Sequence, residues 1–132
     1  MGIENISVIV LKQVLLVTIP ADPDDDTISY IQQRVLDKMQ QTDAQGLILD
    51  ISTAEILDSY FARMIVETAQ MVQIMGGRTV VAGMRPAVAM TATELGLVLS
   101  NLETSLDIDS AFDMLAGGHE VTATNDIKPV QG

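Results

Sequence analysis

Cysteine and tryptophan are absent from the 132 residues, and histidine occurs once, at His119. Without cysteine there is no disulfide framework, no thiolate zinc site and no cysteine nucleophile. One histidine cannot build a multi-histidine metal centre. It lies in an aperiodic stretch near the end of the chain, away from the apolar segments where a Ser-His-Asp triad would form, and reads as a bystander. Positive charge is also scarce: 7 Lys and Arg stand against 18 Asp and Glu, a net charge of −11. Neutralising a phosphate backbone needs clustered cations, so a nucleic-acid partner is excluded. No apolar run approaches the ~20 residues of a membrane span. Residues 1–20 lack the basic start and small-residue cleavage site of a signal peptide. No G-x-G-x-x-G or Walker A pattern occurs, so no phosphate-cradling loop is visible. A soluble cytoplasmic domain without metal or cofactor is the expectation.

What is present suits one packed domain, since 48% of the residues are hydrophobic and the length matches about one domain. Ser7 to Leu11 and Val14 to Ile19 are short runs rich in Val, Ile and Leu, which suit strands joined by a turn at Lys12-Gln13. The acidic loop from Pro20 to Asp26 cannot extend a strand, and Asp26 or Thr27 is expected to cap the following helix. That helix carries Ile28, Ile31, Val35, Leu36 and Met39 on one face. Leu47 to Ile51 is almost wholly apolar, as a strand buried on both faces should be. A second helix places Phe61, Met64, Ile65, Thr68, Met71, Val72 and Met75 on one stripe, the methionines as core filling. Gly76-Gly77 ends it. Arg78 to Ala82 reads as a strand, Ala87 to Leu95 as a helix opened by Pro86, Thr104 to Ile108 as a strand and Ser110 to Leu115 as a last helix. Residues 117–132 show no period and read as a flexible tail, leaving 1–116 as the domain. The order β-β-α-β-α-β-α-β-α implies an α/β fold: one mixed, mainly parallel sheet flanked by helices.

Few residues suggest chemistry. Asp22 to Asp26 could attract calcium, but the sixth and twelfth positions of an EF-hand loop would hold Thr27 and Gln33 rather than Gly and Glu. A solvated loop beside a helix N-terminus is the simpler reading. Asp50, at a strand end, could be a catalytic carboxylate or could bond loop amides. An enzyme built on Asp50, Asp58 and Ser59 would need a base that the chain does not supply. Most informative is the segment from Glu55 to Arg63, which puts Ser59 at the mouth of a helix. Ser59 or Asp58 can serve there as an N-cap. Ser59 can also be a phosphorylation switch, because a phosphate adds about −1.5 to −2 charges. The helix dipole would favour that charge and Asp58 and Glu55 would oppose it, so the main effect should fall on a docking partner.

Two stretches carry a resemblance. One is Leu49-Asp50-Ile51-Ser52 followed by Ile56-Leu57-Asp58-Ser59-Tyr60. The other runs from Met75-Gly76-Gly77-Arg78 through Gly83-Met84-Arg85-Pro86-Ala87-Val88-Ala89 to Thr91 and Glu94-Leu95-Gly96. Over about residues 6 to 115 the chain resembles the STAS domains of the anti-anti-sigma factors, and within them the RsbS-type stressosome scaffolds. The resemblance implies a non-enzymatic protein that forms a homo-oligomer or dimer within a large assembly, together with RsbR-like STAS paralogues, and holds an RsbT-like serine kinase. The kinase would leave once it had phosphorylated Ser59, and an RsbX-like phosphatase would reset the system. Asp58, Ser59, Tyr60 and Arg63 would form the partner-binding surface. An early first strand favours the single-domain branch over paralogues with an N-terminal sensor. Sporulation-type relatives usually have Asp-Ser-Ser-Gly, whereas Tyr60 and Phe61 stand here. That departure favours the stressosome branch over the alternative, a free anti-anti-sigma factor that binds an anti-sigma kinase directly.

Overall fold

A computed structural model describes residues 6–94 and 102–124, with side chains up to Gly117 in the last helix. Strands β1 (Ser7–Leu11) and β2 (Val14–Thr18) form a hairpin. Helix α1 (Asp25–Gln41), β3 (Gly46–Asp50), α2 (Ser59–Ile74), β4 (Arg78–Ala82), α3 (Pro86–Glu94), β5 (Glu103–Ser105) and α4 (Ile108–Thr124) follow. The five strands lie in sequence order, β1-β2-β3-β4-β5. The first pair is antiparallel and the other three are parallel. The expected α/β architecture is therefore present.

Alternation along the strands sorts the core into two layers. Leu15, Val17, Leu47, Leu49 and Val81 face the side that receives Ile28, Ile31 and Val35 of α1, Phe61 and Ile65 of α2, and Val88 and Ala92 of α3. Val14, Ile48, Val80 and Ala82 face the other side, where α4 supplies Ala111, with Phe112 and Leu115 against it. Each fully buried side chain of this kind is worth about 1.5–3 kcal/mol. Both layers close over the central strand, and all five residues of β3 are buried.

Local chemistry places several boundaries differently from the expectation. The cap of α1 is Asp24, whose carboxylate accepts the Thr27 amide at 2.8 Å. Asp26 and Thr27 lie inside the helix, where Asp25 and Asp26 complement the first-turn dipole. On α2, Met64 is buried, but Met71 and Met75 are 36% and 46% exposed. They sit at the border of the apolar stripe, where its cover is incomplete. Strand β5 is short and ends at Ser105, because Asp107 takes the Ser110 amide at 2.8 Å and starts α4 early. That helix continues to Thr124, well past Leu115. Gly117 and Gly118 weaken a helix by about 1 kcal/mol each but keep their N–H groups, so they do not break it. Leu95, expected to finish α3, and residues 125–132 of the expected tail lie outside the described residues.

Candidate functional site

The parallel strands all point their carboxyl ends the same way, and the loops there form one edge of the molecule. The β3–α2 loop crosses the middle of that edge and is tied down on three sides. Ile51 donates its amide to Ala82 O at 3.0 Å, Ala54 to Ile51 O at 3.0 Å, and Glu55 to Ala21 O at 3.3 Å. Ile51, Ala54 and Leu57 are buried. Between these anchors the polar residues Ser52, Thr53, Glu55, Asp58 and Ser59 are exposed.

Asp50 adopts the structural alternative of the two raised for it. Its Oδ1 accepts the Ser52 amide at 3.0 Å and shapes the turn out of β3. Arg85, from the β4–α3 loop, donates Nε–H to Ser52 O at 2.9 Å and braces the same turn. Neighbouring Gly83 has φ of +77°, and a Cβ there would lie 2.8 Å from the Ser52 Cβ. Only glycine lets the two loops approach so closely. In the sequence Gly83 and Arg85 stood out only within the stretch that carries the resemblance, and not as braces.

The mouth of α2 divides its labour. Asp58 is the cap: its backbone is extended, and Oδ1 accepts the Phe61 amide at 2.8 Å. Ser59 is the first residue of the helix and is exposed. Its hydroxyl is therefore presented to solvent while its neighbour satisfies the helix. Tyr60 is half-buried and packs against the core. The Arg63 guanidinium lies 5.8 Å from the centre of the Tyr60 ring, within cation–π range. The four residues expected to form one surface run from the cap of α2 at Asp58, through Ser59 and Tyr60 in its first turn, to Arg63 in its second.

Asp50 and Asp58 are each engaged with an amide, and no group of three His, Cys, Asp or Glu side chains suited to a metal occurs among the described residues. A cavity of about 290 Å³ at this edge is bordered by Asp50, Asp107 and Asp109. Three carboxylates make it hostile to an anion. No described helix is long and apolar enough to cross a membrane.

Comparison with known proteins agrees with this geometry. The STAS domain family matches residues 5–111. The RsbT co-antagonist protein RsbRB of Bacillus subtilis is 24% identical over 102 residues, which is 77% of this chain and 37% of that protein. The chain thus spans about a third of the length of the RsbT co-antagonist proteins it matches. Among solved structures, a serine-to-glutamate variant of RsbS from Moorella thermoacetica superposes with a TM-score of 0.78 at 26% identity, over 88% of this chain and 98% of the other. A chain from the molecular architecture of the stressosome, a signal integration and transduction hub, gives 0.72 at 26% identity, over 86% and 98%. A sequential five-stranded sheet that presents a capped, serine-bearing helix mouth, matched along most of its length by the family model, settles the family: the chain belongs to the STAS domain proteins.

Proposed function

We propose that this chain is an RsbS-type stressosome scaffold that binds an RsbT-like serine kinase and releases it when Ser59 is phosphorylated. The observation that carries the reading is the separation of roles at α2. Asp58 holds the cap, so Ser59 is free of structural duty and exposed for a kinase to reach. RsbR-like STAS paralogues are the proposed co-assembling partners, and an RsbX-like phosphatase would restore the hydroxyl.

Release follows from charge and bulk. A phosphate at Ser59 gains from the helix N-terminus but joins Asp58 and Glu55 in a compact anionic patch. At ~6 Å each unit pair costs about 0.7 kcal/mol in water, and more where docking excludes water. The phosphate also stands where a partner approaches Tyr60 and Arg63. A loss of about 1–3 kcal/mol, or roughly 5- to 150-fold in affinity, follows. Incubation with the cognate kinase and ATP, then mass spectrometry and a pull-down, tests this. Label should appear on Ser59, Ser59→Ala should retain the kinase, and Ser59→Asp should release it only in part. Label on Ser52, Thr53 or Thr91, with release from Ser59→Ala, would overturn the assignment.

A further inference from the structure

We propose that Arg63 is a positioning residue for the phosphate at Ser59. Once the hydroxyl is phosphorylated, the guanidinium turns from the Tyr60 ring to the phosphate one helical turn behind it and holds the phosphate against α2. The inference rests on the phosphorylation reading and adds what becomes of the phosphate after transfer.

Spacing supplies the pair. Ser59 and Arg63 are four residues apart on α2, and both are exposed. Their Cβ atoms therefore stand about 5–6 Å apart on one face of the helix. Helical side chains lean towards the N-terminus of their helix. Arg63 does so here: its guanidinium lies 5.8 Å from the centre of the Tyr60 ring, three residues back. Ser59 is the next position in the same direction. The order also suits the pair, because an anion four residues before a cation agrees with the helix dipole.

Arg63 is available for the role. Among the described residues its guanidinium makes no ion pair, and its hold is the Tyr60 ring. An exposed cation–π contact is weak, whereas a guanidinium can meet a phosphate through two parallel N–H···O bonds. Glu67 stands four residues further on, but an arginine before an acid is the poorer order, and the two are not paired. Arg85, the other cation at this edge, is engaged through Nε with Ser52 O at 2.9 Å. Capture changes the docking surface twice. It withdraws the positive charge of Arg63 from a partner, and it takes the cation off the Tyr60 ring. A partner that reads Tyr60 and Arg63 then loses a cation as well as meeting an anion.

The test installs the phosphate without a kinase, as phosphoserine encoded at position 59 of the full chain, so its outcome is independent of whether a kinase uses that site. Phosphorus NMR follows the second phosphate pKa, about 6 for an unperturbed group. Glu55 and Asp58 raise it and Arg63 lowers it. Arg63→Gln should raise it by about 0.3 pH units, the size of one helical ion pair at this spacing. Arg63→Lys should keep most of the lowering. Lys12→Gln removes an equal charge from the β1–β2 turn, at the opposite end of the strands, and should leave the value unchanged. In the chain with Arg63 intact, the Arg63 Nε–H signal should shift on phosphorylation. Equal values with and without Arg63, an unmoved Nε–H signal, or a rise on Arg85→Gln in place of Arg63→Gln overturns the proposal. Because the Nε–H signal is read with Arg63 present, it decides even if a variant fails to fold.

Discussion

Asp58 and Ser59 are adjacent, yet substitution should separate them cleanly. Asp58→Ala removes the acceptor for the Phe61 amide and should cost about 1 kcal/mol, within a usual range of 0.5–2. Ser59→Ala removes an exposed hydroxyl and should stay within about 0.5 kcal/mol. Urea denaturation of both variants checks the pair; equal losses would show that Ser59 shares the cap. Two other caps respond to pH. Hydrogen bonding with Thr27, through its side chain and then its amide, holds Asp24 below the ordinary carboxylate value. Ser110, through its amide and then its hydroxyl, does the same for Asp107. The folded state thus prefers the charged carboxylates. Their stabilisation is present in full above the unfolded value of about 3.9 and is lost as pH falls through the lower folded values. Carboxyl carbon shifts followed by NMR should give midpoints for both residues below about 3.9.

At the scale of elements, the braced β3–α2 loop is the part most exposed to a single change. Gly83→Ala forces a side chain into a left-handed backbone and against Ser52. It should cost about 1–3 kcal/mol and shift the amide signals of Ser52 to Ser59; unchanged signals would show that the loop holds itself. How much was legible beforehand varies along the chain. The buried strands β3 and β4 declared themselves through apolar runs, and Asp58-Ser59 through its place before a helical period. Met71 and Met75 misled, because a period of 3.6 gives the direction of a stripe but not how far a neighbouring helix covers it. The caps at Asp24 and Asp107 were missed because several consecutive polar residues could fill the position. Helix α4 outran its apolar pattern since backbone hydrogen bonding needs no apolar partner once a helix is nucleated. The turn at Lys12-Gln13 was placed, but nothing in those side chains announces positive φ. The approach of Gly83 to Ser52 is a contact across 31 positions, which no local pattern encodes.

Considered whole, the two core layers are built from residues between Ile6 and Leu115. Truncation before Gly118 leaves Ala111, Phe112 and Leu115 in place. We expect the melting temperature to move by no more than about 3 °C. A larger fall in calorimetry would show that the last turns of α4 or the residues beyond them bear on the core. Strand order carries a consequence for how the chain is made. Each strand lies beside its predecessor in sequence, so none has to be threaded between two already paired. During synthesis the hairpin can close first, and each later helix and strand can be laid at the growing side as it leaves the ribosome, domains being made from the N-terminus onward. The margin formed by β1 is then the oldest part of the sheet. It is in place while the rest is still being translated, and every later strand takes its register from the one laid before it.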